Sequence, residues 1–126
     1  MNHRLGLYDA FLIKENHIMA AGSIEGAISA ARAHASDRLV EVEVENLDEL
    51  ALAIAAKADR IMLDNFELLL LAEAVQIVNK RFETEASGGV NIHNVRKVAK
   101  TGVDYISIGA LTHSATSLDL SLKVLK

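Results

Sequence analysis

Two acidic side chains stand at matching places in two strand-like runs. Glu43 lies near the end of Leu39-Val40-Glu41-Val42-Glu43-Val44-Glu45, and Asp64 closes Arg60-Ile61-Met62-Leu63-Asp64. Such a pair suits metal-linked phosphate binding or the stabilisation of a cation developing on a sugar. Its plainer alternative is an inward salt bridge of structural weight only. A cationic group, Asn2-His3-Arg4 with Lys14, suits an anionic substrate, because guanidinium forks match carboxylates and phosphates. The same residues read equally as solvated loop charges. Lys14, at a strand end, could also form a Schiff base as in an aldolase. Ser87-Gly88-Gly89 and Gly109-Ala110 are expected as turns after successive strands, where glycine lets the backbone approach an anion and a following helix N-terminus favours negative charge. His113 could donate to the same phosphate. His17, His34 and His93 read as ordinary loop or surface residues.

The elements that must position these groups follow from periodicity. Leu39 to Val44 alternates valine with glutamate, the period of a strand, and valine favours the pleated backbone. Phe11 to Lys14, Arg60 to Asp64, Phe82 to Ala86 and Tyr105 to Ile108 read as four further strands. Helices are expected between them. One is capped by Ser23 and runs from Ile24 to about Ala35. A second is capped by Asn46, with Glu49 as capping-box partner. A third runs from Phe66 to about Lys80. A fourth opens at Asn94 and is closed by Gly102. Gly109 to Ser117 is expected as a loop and Leu118 to Leu125 as a last helix.

Strand ends recur at Glu43, Asp64, Ser87 and Gly109, spaced by 21, 23 and 22 residues. Regular β-α units without a hairpin signal imply parallel strands. Polar residues placed repeatedly at strand C-termini favour a (β/α) TIM-like barrel over a doubly wound sheet. Val42 and Val44 would then face the helices, and Glu41, Glu43 and Glu45 the interior or mouth. Inward carboxylates need cations, for which Lys14 and Arg4 are candidates. Five units are too few to close such a barrel, so further strands are expected upstream.

Composition narrows the field. At 126 residues and 51% hydrophobic content, one domain with a packed core is expected. The absence of cysteine excludes disulfides and thiolate chemistry. A net charge of −4 and 4% aromatics give neither a nucleic-acid footprint nor a stacking platform. No apolar run reaches the roughly 20 residues of a membrane span. Met1 to Leu7 does not read as a signal peptide, which predicts a cytosolic address.

Several segments together resemble quinolinate phosphoribosyltransferase (nicotinate-nucleotide pyrophosphorylase, carboxylating). They are Asn2 to Leu7, Leu12 to His17, Val42-Glu43-Val44, Met62-Leu63-Asp64-Asn65, Glu85-Ala86-Ser87-Gly88-Gly89, Thr101-Gly102-Val103-Asp104 and Ser107 to Ser114. These motifs run in family order over essentially the whole chain. The resemblance implies transfer of phosphoribose from phosphoribosyl pyrophosphate to quinolinate, giving nicotinate mononucleotide, carbon dioxide and pyrophosphate with Mg2+. It implies that His3, Arg4 and Lys14 bind the pyridine dicarboxylate, that Glu43 and Asp64 face the ribose, and that Ser87, Gly88, Gly109 and His113 hold its 5-phosphate. Mg2+ would be held through pyrophosphate, with water linking it to Glu43 or Asp64. Residues 1–126 would be the C-terminal part of the barrel, the N-terminal α/β domain and first strands lying outside them. The resemblance further implies a dimer in which a partner arginine enters the site. The same motifs leave open a molybdenum-transport-associated paralogue with another substrate, or a non-catalytic fragment that binds a phosphate ligand.

Overall fold

The computed structural model describes residues 10–14, 22–34, 38–111 and 117–125. Four β-α steps and two further strands are described along the chain: β1 (Ala10–Ile13), α1 (Ile24–His34), β2 (Leu39–Val44), α2 (Leu47–Ala55), β3 (Arg60–Asp64), α3 (Leu68–Val78), β4 (Glu83–Ser87), α4 (Val95–Ala99), then β5 (Tyr105–Leu111) and β6 (Ser117–Lys123). The strands form one sheet in chain order, parallel from β1 to β5, with β6 antiparallel at the end. The architecture is therefore mixed α/β with a mostly parallel sheet. Among the described residues the sheet is open, with β1 and β6 as its edges, so the expected barrel is not closed by these strands.

One face of the sheet is apolar. Val40, Val42 and Val44 are fully buried, as are Ile13, Ile61 and Leu63. They share one cluster with Ile28 of α1, Leu50 of α2, Leu71 of α3 and Val98 of α4. Successive helices also touch one another, α1 on α2 and α2 on α3, so they line the same side. Each fully buried valine or leucine contributes about 1.5–3 kcal/mol relative to exposure. The glutamates that alternate with the valines must therefore point to the opposite face.

Local chemistry sets the helix starts. Ser23 Oγ accepts from the Gly26 N–H at 2.9 Å. Asn46, extended at φ −156°, accepts from the Glu49 N–H at 2.8 Å. Glu49 returns the contact one residue earlier than expected, accepting from the Glu45 N–H at 2.8 Å. α3 begins at Leu68 rather than Phe66, because Glu67 is extended, with ψ 156°, and so stands as the N-cap residue.

The C-terminal segment corrects the sequence reading. Leu118 to Leu125 is not a helix. β6 pairs with β5 in register from Tyr105↔Lys123 to Leu111↔Ser117. In Ser117-Leu118-Asp119-Leu120-Ser121-Leu122-Lys123 the leucines alternate with polar residues, which is strand periodicity. β5 correspondingly extends to Leu111. Gly109 thus lies inside a strand, opposite Asp119, and not in the expected turn.

Candidate active site

The face away from the helices carries the polar set. Its rows follow from register: Glu41 opposite Arg60, Arg60 opposite Glu83, Glu43 opposite Met62, Met62 opposite Glu85, Asp64 opposite Ser87, and Glu85 opposite Tyr105. Lys14 follows Ile13, which pairs with Val42, so Lys14 ends β1 beside Glu43. Lys14, Glu43, Asp64 and Ser87 therefore meet at the C-terminal ends of four adjacent parallel strands.

Glu43 and Asp64 face one another closely enough for each carboxyl to act on its neighbour. The Glu43 carboxyl is held above its ordinary value. Partial burial is the largest cause and repulsion from Asp64 the next; Lys14 pulls the other way, and the Asp64 hydrogen bond and Glu45 add to the rise. Burial and a neighbouring acid thus both disfavour the charged form of Glu43, and a cation bound beside it would favour that form.

Deeper on the same face lies a buried ion network. Arg60 is 3% exposed. Its Nη2 donates to Glu83 Oε1 at 2.8 Å, and its Nη1 lies 4.0 Å from Glu85 Oε1. The guanidinium sits 3.8 Å from the centre of the Tyr105 ring. Ser121 Oγ donates to Glu85 Oε2 at 3.4 Å. Glu41 and Glu85 are as buried as Arg60. Arg60, not assigned as a cation partner from sequence, is the cation for inward acids of β4. Its signal was present: Arg60, Met62 and Asp64 share one strand face, in step with Glu83, Glu85 and Ser87.

The glycine turn after β4 is built against β3. Asn65 donates its N–H to the Ser87 carbonyl at 2.8 Å. Gly88 has φ +82°, and a Cβ there would lie 2.5 Å from Asn65 Oδ1. Gly88 is thus required by conformation and by close approach together. Gly89 also has positive φ, at +72°. Asn94 opens α4 as expected, but its side chain ties this turn and does not cap the helix: its Nδ2 donates to the Gly89 carbonyl at 2.9 Å and its Oδ1 accepts from the Asn91 N–H at 2.8 Å. The result is a small cup of backbone at the end of β4. Behind it, on the helix side, lies a cavity of about 320 Å3 lined by Phe66, Leu71, Val90 and Val98 among others.

Lys14, Glu43, Asp64, Ser87 and Gly88 are therefore brought to one rim. Gly109 reaches the same face from within β5. His3, Arg4 and His113 lie outside the described residues. No group of three or more His, Asp or Glu side chains able to hold a metal ion occurs among the described residues. No described helix is long and apolar enough to cross a membrane.

A family model described as quinolinate phosphoribosyl transferase, C-terminal domain, matches residues 1–123. The chain belongs to the quinolinate phosphoribosyltransferase family. A solved nicotinate-nucleotide pyrophosphorylase from Francisella tularensis is 52% identical over 98% of the chain, with a TM-score of 0.79, and the match covers 44% of that structure's chain. The carboxylating nicotinate-nucleotide pyrophosphorylase of Mycobacterium leprae is 46% identical over 97% of the chain and is itself covered over 44%. A chloroplastic relative from Oryza sativa is 46% identical over 98% of the chain and covered over 38%. The chain thus spans about two fifths of the length of these members of the quinolinate phosphoribosyltransferase family.

Proposed function

We propose that the chain forms the C-terminal portion of a TIM-like barrel that transfers phosphoribose from phosphoribosyl pyrophosphate to quinolinate, releasing carbon dioxide and pyrophosphate and yielding nicotinate mononucleotide for NAD biosynthesis. The observation that carries this reading is the Glu43–Asp64 carboxyl pair, with Lys14 beside it, at the rim that ends in the Ser87-Gly88-Gly89 cup. Strands in strict chain order, with helices lining one face, support the barrel: a doubly wound sheet reverses its order and carries helices on both faces. Residues 1–126 make up this barrel portion, and the rest of the catalytic domain lies upstream in the whole protein. Whole molecules pair as dimers and work in the cytosol; cross-linking and cell fractionation test these two points.

In this reading Lys14, with His3 and Arg4, holds the two carboxylates of quinolinate by charge-assisted bonds. Ser87, Gly88, Gly109 and His113 take the 5-phosphate. The ring nitrogen attacks the anomeric carbon as pyrophosphate departs, and positive charge grows on the sugar. Glu43 and Asp64 stabilise that charge as carboxylates fixed in place before the reaction. The alkylated ring is a pyridinium, whose positive nitrogen stabilises the electron pair left on the adjacent carbon as its carboxylate departs as carbon dioxide; a proton from water then takes up that pair. Two carboxylates without a third ligand fit Mg2+, which keeps waters and binds largely through substrate phosphates; when bound it neutralises pyrophosphate.

Calorimetric titration of the chain with phosphoribosyl pyrophosphate, with and without Mg2+ and quinolinate, tests the reading. Binding that Mg2+ strengthens, and that Asp64→Asn weakens by about tenfold or more, is expected from loss of a charged contact. Binding of quinolinate-free carbonyl compounds trapped by borohydride on Lys14, with no response to phosphoribosyl pyrophosphate, would overturn it.

A further inference from the structure

One buried side chain joins three of the strands that end in the site. Arg60, at the first position of β3, reaches Glu83 and Glu85 on β4 and stacks on Tyr105 of β5. The same strands carry Asp64, Ser87 and Gly109 on the same face. Arg60 is four residues before Asp64, about 13 Å along the strand. It is therefore too far down the strand to be placed among the substrate-binding residues, but it lies directly beneath them.

The backbone explains why such a tie is needed. β3 and β4 share five paired positions and β5 and β6 share seven, but β4 and β5 share only Glu85↔Tyr105 and Ala86↔Ile106. The β4–β5 ladder is the shortest join between described strands. Two side-chain contacts reinforce it from the site face: the Arg60–Tyr105 stack, and Ser121 of β6 donating to Glu85 of β4 across β5. A guanidinium is suited to this position. Its plane stacks on a ring while its edge meets two carboxylates, which the point charge of lysine cannot reproduce.

We propose that Arg60 is a positioning residue of the site: it locks β3 to β4 and β5 and so fixes the Asp64 carboxylate relative to the Ser87–Gly88 turn. The inference takes its ligand from the phosphoribosyl reading but its geometry from the sheet alone. The alternative is that Arg60 only offsets the buried charge of Glu85.

The test compares the full chain with Arg60→Lys, Arg60→Met and the double variant Arg60→Met with Glu85→Gln. Amide hydrogen exchange reports the geometry without any ligand. The proposal expects faster exchange, by about tenfold, at Asn65, whose N–H bonds Ser87, and at the paired β4–β5 positions in all three variants, measured against β2–β3 amides as internal reference. Affinity for ribose 5-phosphate, measured on folded protein, falls by a similar factor. The double variant removes both charges, so it regains melting temperature but neither the exchange pattern nor the affinity. It also keeps the test decisive if Arg60→Met alone does not fold. Exchange that rises equally everywhere, or a double variant or Arg60→Lys with wild-type exchange at Asn65, overturns the proposal. A wild-type chain that ignores ribose 5-phosphate counts against the phosphoribosyl reading, while the exchange pattern still decides the role of Arg60.

Discussion

A carboxyl that is partly buried beside another acid is harder to ionise than one in water. Glu43 shows this as a carboxyl held above its ordinary value by burial first and Asp64 second. The consequence for stability has a definite sign. Between the ordinary value of 4.5 and the raised folded value, the folded chain binds more protons than the unfolded chain. The contribution of Glu43 is therefore fully present below the ordinary value and is lost as pH rises through the folded one. Melting temperature measured at a series of pH values from about 4 to about 8 should fall more steeply in the wild type than in Glu43→Gln, the difference being confined to that window. Parallel curves would show that Glu43 holds no extra proton in the folded chain. Gly88 offers a second test at this scale. An alanine there must adopt φ +82° and meet Asn65 Oδ1 at 2.5 Å, so Gly88→Ala should lower stability by about 1–3 kcal/mol. Adding Asn65→Gly, which suits φ 58° and removes that oxygen, should recover part of the loss in a denaturant melt. Glu43, Asp64 and Gly88 were legible because their types recur at strand ends. Arg60 was not, because a basic residue opening a strand looks like a solvated end until register places it under Glu85 and Tyr105.

Elements built from a cap and one apolar stripe were read well. α2 is the case to test, because both its causes are visible. Replacing Asn46 with alanine leaves the Glu49 N–H without its cap and should cost about 1 kcal/mol. On the same helix, Leu50 is fully buried and Leu52 is 57% exposed. Leu50→Ala should cost about 2–5 kcal/mol and Leu52→Ala less than about 0.5. Urea midpoints with unchanged slopes check all three, and equal losses at the two leucines would refute the assigned face. The reading failed at β6 for a physical reason. Leucines at every second position match a strand face, yet a leucine-rich run also suits a helix, and the alternation is only seven residues long. Pairing with β5 decides between them, and pairing is not a local property. The same pairing draws Gly109 into β5, so a glycine that looked like a turn signal became a strand residue facing the polar side.

At the scale of the molecule, strand order was legible from the even spacing of strand ends, but closure was not. Whether a parallel sheet closes depends on how many units it has and on what its edge strands meet. Among the described residues the outer edge of β1 has no partner strand, and β6 covers β5 as the other edge. An unpaired parallel edge presents free N–H and C=O groups that another chain can take up. The polar face above it holds Glu41, Glu43, Arg60 and Glu85, which need an enclosed, water-poor setting if their fixed charges are to act strongly on a substrate. The chain also spans only 38–44% of the relatives reported above, and the family resemblance implies that a partner arginine joins His3, Arg4 and Lys14 in the site. The 126-residue chain alone is therefore expected to self-associate and to show no measurable transferase turnover. Loss of even one charge-assisted contact, at about 1.5–3 kcal/mol, lowers the rate by about one to two orders of magnitude. Size-exclusion chromatography over a range of concentrations should show species larger than 13.6 kDa, and a lysine placed on the β1 edge at Leu12 should shift them toward monomer. Release of pyrophosphate and labelled carbon dioxide measures turnover in the same preparation. A concentration-independent monomer with turnover comparable to a full-length relative would show that the open edge is harmless and that the described strands already hold a complete site.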